Sequence, residues 1–381
     1  MKTPLAWLNL LHERTRLLVA VAGVAFAVIL IFMNLGFRGA LLSTAVSVYE
    51  QFNGEVFLRS PQTLEISTTE PFPRERIYQV AGVEGVERVM PLYSGYKLWR
   101  NPETGISRST FIYGINLQDP MFLMPEVRSP EILADLAMPN TVLMDRLSRP
   151  EFGPQTTGTI TEADRRQVKI VGQYTMGGGF AADSTLIMSD QNFRRFFDPR
   201  PLSEIDLGVI KLQPGVEPAP VAAAMRELLP RDVLVLTKEE IIGLDRDYWL
   251  TNTSIGFIFG LGVVVSFIVG VVIVYQILYT DIANHLPEYA TLKAMGYRSY
   301  YLFKVVLQEA VLLAMMGYVP GLIVALGLYE MTLNATSGSL PVSMNVGRVL
   351  FVMILTLVMC SVSGLISVRK AVAADPADVF N

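Results

Sequence analysis

The sequence predicts an α-helical membrane protein with four transmembrane helices and a large α+β extracytoplasmic domain inserted between helices 1 and 2. Three observations predict it. Hydrophobic residues make up 51% of the 381-residue chain and charged residues only 17%, against about 25% charged in soluble domains. Four runs reach the roughly 20 apolar residues that a bilayer crossing needs: 17–37, 255–279, 310–329 and 349–368. Residues 38–250, between the first two runs, instead carry the alternating and β-branched patterns of a folded domain.

Residues 1–16 read as a short amphipathic helix on the cytoplasmic side. Leu5, Trp7, Leu8 and Leu11 fall on one side and Trp7 lies at headgroup level; a disordered tail is the alternative. The run 17–37 is the first span. It exceeds the apolar core of a signal peptide and no A-x-A site follows it closely, so it is expected to stay as an anchor.

Residues 39–250 hold 21 Lys/Arg and 28 Asp/Glu, a net −7, and the remainder of the chain is +3. An acidic outer domain excludes nucleic acid as a partner. Within it, 56–58, 110–115, 168–174, 185–188, 207–211 and 233–236 read as strands, and 73–80, 191–197 and 216–229 as helices. The strand–helix–strand order at its end suggests a split βαβ unit. Residues 238–250 read as a polar stalk helix running without interruption into the second span, 255–279, as a stiff lever. Gly177, Gly178 and Gly179 form a hairpin or hinge, because no lysine follows them as in a phosphate loop. Asp183 beside them suits a turn cap.

Residues 280–304 form a loop containing Lys293, Arg298 and Lys304. With Lys2, Arg14 and Arg16 before the first span and Arg369 and Lys370 after the fourth, these charges put both termini and this loop in the cytoplasm. Inside the loop, 287–297 (PEYATLKAMGY) reads as a short helix. Pro287 suits its first position, Glu288 the positive end of its dipole, and Gly296 its stop. Tyr289, Leu292, Met295 and Gly296 give it one apolar face, suited to docking another protein, or to lying on membrane lipid.

The third span is 305–329 and the fourth 349–368, joined by a short outer loop, 330–348. The tail 369–381 is cytoplasmic. Gly256 and Gly260, and Gly317 and Gly321, have the small-xxx-small spacing of tight helix packing. Pro320 should kink the third span. Glu309 is a carboxylate near membrane depth, expected to be structural, paired with Lys304 or placed at a helix end.

The missing chemistry is informative. No G-x-x-x-x-G-K-[ST], H-E-x-x-H or G-x-S-x-G motif occurs. The single cysteine, Cys360, excludes an internal disulfide, and two histidines leave little scope for a metal site. The residues therefore predict no catalysis, no cofactor and no metal.

This layout, together with Glu288, Leu292, Lys293, Ala294, Met295 and Gly296, then Gln308, Glu309 and Ala310, the Gly317/Gly321 pair and the ending at 374–380 (ADPADVF), resembles the FtsX/MacB class of ABC transporter permeases, of type VII ABC architecture. The outer segments 144–153 (MDRLSRPEFG) and 180–193 (FAADSTLIMSDQNF) resemble the DevC permeases of cyanobacterial heterocyst glycolipid exporters. The resemblance implies a non-catalytic homodimer in the inner membrane, bound to a separate DevA-like ABC ATPase through Glu288, Leu292, Lys293, Met295 and Gly296. It implies a DevB-like periplasmic adaptor of the membrane-fusion type and a TolC-like outer-membrane channel. The function it implies is export of a lipid-like or other periplasmic cargo by transmitted motion. Two alternatives share this architecture: an FtsX-like subunit that activates a cell-wall hydrolase, and lipoprotein extraction of the LolC/LolE type.

Overall fold

The computed structural model describes residues 14–177, 182–285, 291, 295, 299–336, 338 and 340–372. The chain divides into two units: residues 1–39, 257–332 and 342–381 form one, and residues 40–256 with 333–341 form the other.

The second unit is built on a nine-stranded sheet. It follows α1 (Arg14–Gln51), which continues as one helix well past the apolar run. The elements in chain order are β1 (Val56–Arg59), β2 (Phe72–Pro73), α2 (Glu75–Gln79), β3 (Val86–Arg100), β4 (Ser107–Ile115), α3 (Pro125–Arg128) and α4 (Pro130–Leu136). There follow β5 (Thr141–Asp145), β6 (Ile160–Ala163), β7 (Arg166–Tyr174), β8 (Thr185–Ser189), α5 (Asp190–Phe196), β9 (Glu204–Ile205), β10 (Leu207–Leu212), α6 (Pro218–Leu228), β11 (Leu234–Thr237) and α7 (Lys238–Asp247).

The strand order is β11-β1-β10-β3-β4-β8-β5-β7-β6, and β6 also pairs with β3. That extra pairing, Trp99 with Ala163 and Arg100 with Glu162, closes a circuit of six strands at one end of the sheet. At the other end β10 and β11 both run antiparallel to β1, so they are parallel to each other, with α6 as their crossover. This is the split βαβ unit that the order of patterns suggests.

Strand alternation gives the sheet two apolar faces. Val56 and Leu58 of β1, Ile112 of β4 and Ile210 of β10 join Ile77 of α2, Phe193 and Phe196 of α5 and Ala222 and Met225 of α6 in one buried core. Phe57, Phe111 and Tyr113, which alternate with them, are also buried, on the opposite face. Close approach explains two glycines. A Cβ on Gly114 would lie 2.7 Å from the Phe193 side chain, and one on Gly95 would lie 2.5 Å from the Phe197 ring. Only glycine lets α5 and the residue after it settle on β3 and β4 at this distance.

Three sequence expectations change here. The longest strand, β3, is hidden in the sequence by Pro91, Gly95 and four charged side chains. Pro73 does not open a helix but pairs with Glu204, and α2 begins at Glu75. The stalk is not continuous with the second span. After α7 the chain makes a π-helical turn, Tyr248–Asn252, and Thr253 is extended (φ −106°, ψ 144°) before the next helix starts at Ser254. The threonines explain the break. Thr251 Oγ1 donates to the Asp247 carbonyl at 2.6 Å and Thr253 Oγ1 to that of Trp249 at 2.7 Å, and Thr253 Oγ1 then accepts from the Gly256 N–H at 3.2 Å. Threonine thus satisfies backbone groups locally and caps a new helix instead of prolonging the old one.

The first unit contains the apolar part of α1, and α8 (Ser254–Asn284), α9 (Ser299–Ala335) and α10 (Val346–Val372). By length and composition four helices can cross a membrane: Thr15–Gln51, Ser254–Asn284, Phe303–Ala335 and Val346–Val368. A Cβ on Gly321 would lie 2.8 Å from Val28, and one on Gly317 would strike Val24, so this pair sits where α9 meets α1. The other pair behaves differently. Among the described residues a Cβ on Gly260 would meet nothing within 4 Å, and the atoms nearest a Cβ on Gly256 are backbone atoms of the π turn. On α8 the tight approaches are at Gly262, against Asn34, and Gly270, against Ala27 and Met359. Ser363 Oγ donates to the Val271 carbonyl at 2.9 Å and Tyr318 OH to that of Val349 at 2.8 Å, polar ties of the kind that join helices in lipid. Pro320 lies inside α9.

Candidate functional site

α7 begins with a complete capping box. Thr237 Oγ1 accepts from the Glu240 N–H, and the Glu240 carboxylate accepts from the Thr237 N–H. Ile241, one turn on, is fully buried, and so is Asp245 at the next i+4 position. Helical spacing therefore delivers a carboxylate into the domain interior, where it needs partners. Three elements supply them. Tyr49 OH, from the last turn of α1, donates at 2.7 Å. Arg59 Nη1, at the end of β1, donates at 2.7 Å as an ion pair with only 6% of its side chain exposed. The Ile66 N–H, from the loop after β1, donates at 3.2 Å.

Burial holds the Asp245 carboxyl above the usual range, while the Tyr49 hydrogen bond and the Arg59 charge act the other way. The pair costs desolvation to assemble, yet breaking it by removing one partner strands the other charge. What it supplies is a joint: the end of α1, the end of β1 and the helix that precedes the π turn converge on one carboxylate.

A file of aromatic rings leaves this joint along the second face of the sheet. Tyr49 meets Phe57 edge-on at 5.7 Å, and Phe57 meets Phe52 at 6.1 Å. Phe52 stacks on Phe122 at 5.2 Å, Phe122 meets Tyr113 at 6.0 Å, and Tyr113 meets Phe111 at 4.9 Å. Phe111 meets Tyr96 at 4.9 Å, where the ring emerges 40% exposed. Each such pair adds about 0.5–1.5 kcal/mol beyond area burial. The file makes a contiguous path from α1 to the β3–β4 hairpin.

A second buried carboxylate, Asp145, anchors the loop that leads into Gly178 and Gly179. It accepts from the N–H groups of Leu147 at 3.1 Å, Met176 at 3.2 Å and Gly177 at 2.5 Å, and from Thr185 Oγ1 at 3.1 Å. Burial raises its carboxyl above the usual range against these four donors. Gly177 adopts φ +81°, which its lack of a Cβ permits. Gly178 and Gly179 lie outside the described residues. Asp183 pairs with Arg149 at 2.9 Å.

Of the proposed ATPase-contact residues, Glu288, Leu292, Lys293 and Gly296 lie outside the described residues, as do 1–13 and 373–381. Thr291 is helical, and the Met295 N–H donates to its carbonyl at 3.0 Å, one helical turn. The Met295 side chain is 64% exposed. Glu309 is fully buried while Lys304 is exposed. Five residues on an α-helix turn through about 140°, which sends the two side chains to different faces and excludes the expected pair. Among the described residues, no group of three or more His, Cys, Asp and Glu side chains is placed to hold a metal ion.

None of Tyr49, Arg59 or Asp245 stands out in the sequence. The one available signal is Asp245 itself, an acidic residue at i+4 from Ile241 on the face that carries the apolar spacing.

Residues 17–228, more than half of the chain, match the family model described as the MacB-like periplasmic core domain. The chain belongs to that family. Residues 255–376 match the FtsX-like permease C-terminal model, so the MacB-like part and the following helices together make an ABC transporter permease of the MacB/FtsX-like kind. Among solved structures, the periplasmic region of MacB from Actinobacillus actinomycetemcomitans is similar over 50% of this chain and 92% of its own, at 12% identity and a TM-score of 0.37. The extracellular domain of the noncanonic ABC-type transporter YknZ from Gram-positive bacteria is similar over 48% of this chain and 100% of its own, at 16% identity and a TM-score of 0.34. No curated protein matches the chain significantly.

Proposed function

We propose that this MacB/FtsX-like permease is the motion-transmitting membrane subunit of a tripartite exporter. In this reading a separate ABC ATPase engages the cytoplasmic loop through Glu288, Leu292, Lys293, Met295 and Gly296. Two copies of the chain sit in the inner membrane with both termini cytoplasmic. Their outer domains work on a periplasmic cargo, lipid-like if the DevC-type segments carry over, and pass it to a membrane-fusion adaptor and a TolC-like channel.

The observation that carries the reading is the joint at Asp245. In a MacB-like domain, a buried ion pair that gathers α1, β1 and α7 suits a part that is moved as one piece. The break at Thr253 supplies a pivot where the sequence suggests a rigid rod. The sequence holds no G-x-x-x-x-G-K-[ST] motif, which suits ATP handling by a separate ATPase.

Co-purification of the full chain from its native membranes, with identification of the bound proteins, tests this. The expected set is an ABC ATPase, a membrane-fusion adaptor and an outer-membrane channel. A cell-wall hydrolase, or a soluble lipoprotein carrier, in place of adaptor and channel would overturn the export reading.

A further inference from the structure

We infer that the outer unit carries a binding site for an anionic amphiphile, a carboxylate or phosphate head on an apolar chain, in an open cleft of about 350 Å³ beside the segment that clasps the end of α1. This inference does not depend on the export reading. The volume falls in the ~300–1,000 Å³ range of small-molecule sites.

The chemistry of the lining selects the ligand. Met121, Phe122 and Val127 make an apolar floor, each at most 3% exposed. Arg88 and Arg128 stand at the cleft with Asp119 as the only carboxylate in its lining. Arg88 Nη1 is held weakly, at 3.3 Å from both the Asp119 carboxylate and the Gln118 carbonyl. Arg128 is exposed, and its guanidinium has no hydrogen-bond or ion-pair partner among the described residues. The lining is thus net positive within a segment, 39–250, that is net −7. Guanidinium groups favour planar, bidentate pairing with carboxylate or phosphate. A floor of aliphatic and aromatic carbon beneath them favours a chain and not a free inorganic anion.

The site adjoins the aromatic file. The Leu123 N–H donates to the Gln51 carbonyl at 2.7 Å, the Asn53 N–H to the Met121 carbonyl at 2.9 Å, and Asn53 Nδ2 to the Pro120 carbonyl at 3.1 Å. Phe122 in the floor is the ring stacked on Phe52. A ligand in the cleft touches Pro120, Met121 and Phe122, which hold Phe52 and Asn53 just after the end of α1.

The test uses the full chain in nanodiscs of zwitterionic lipid, with a diazirine-bearing dodecanoate, the matching dodecyl phosphate and the neutral dodecanol as probes, and peptide mapping of the cross-links. Both anions are expected to label residues 115–133 at least ten-fold more than the alcohol, and the stronger of the two identifies the head group. Arg88→Gln with Arg128→Gln should reduce anion labelling about ten-fold. Arg128→Gln alone should reduce it in part and Arg128→Lys should recover some of that loss but not all, since lysine keeps the charge without the bidentate fork, which separates charge recognition from a fold defect. Equal labelling by the alcohol, labelling unchanged in the double variant, or no cross-link within 115–133 would each overturn the site.

Discussion

Asp245→Ala is expected to destabilise the outer unit by about 3–5 kcal/mol, because it leaves the Arg59 guanidinium buried without its counter-charge. Tyr49 OH and the Ile66 N–H lose their acceptor in the same step. For a unit of this size the loss corresponds to a fall of about 6–20 °C in melting temperature, readable by circular dichroism or by protease resistance of the full chain in nanodiscs. Asp245→Leu combined with Arg59→Met should recover most of it, since well-packed apolar residues of similar volume often replace a buried pair without cost. The cycle separates two accounts. If the single variant melts within a degree or two of the parent, Arg59 reaches water easily and the joint is not a joint. If the double variant is as unstable as the single, the loss comes from packing and not from the stranded charge.

Leu292→Asp and Met295→Asp are expected to abolish binding of the ABC ATPase while the outer unit keeps its melting temperature. Each puts a charge on the apolar face that the spacing of 287–297 leads one to expect. Burying an unpaired carboxylate in a protein interface costs several kcal/mol, enough to move binding by two or more orders of magnitude. Co-purification with the ATPase at parental level by both variants would remove these residues from the contact.

The architecture was legible where one physical term dominates. Four long apolar runs are a solvent preference and need no tertiary information. Short strands such as β1, β8 and β10 were legible from β-branched runs, and α7 was legible as a polar, helix-compatible stretch, 238–250, whose capping box shows only in the structure. What was hidden depends on neighbours. β3 tolerates Pro91 and Gly95 because of what lies opposite and above them: Gly95 makes room for Phe197, a residue 102 positions later. The break at Thr253 turns on which backbone groups threonine hydroxyls claim. The Asp245 joint joins residues almost 200 positions apart, |i−j| = 196 for Tyr49 and 186 for Arg59, and no local pattern encodes that. The GxxxG-type spacing was equally ambiguous: Gly317 and Gly321 meet α1, whereas among the described residues nothing lies within 4 Å of a Cβ on Gly260.

The central claim is that motion enters from the cytoplasm at 287–297 and is delivered outside. The most direct measurement is the sidedness of Met295. The chain has one native cysteine, the buried Cys360, so Cys360→Ser gives a background without thiols. In sealed right-side-out vesicles of that background, Met295→Cys should resist a membrane-impermeant maleimide, and in inverted vesicles it should label fully and be protected when the ATPase is bound. Labelling from the outer face in right-side-out vesicles would contradict the account.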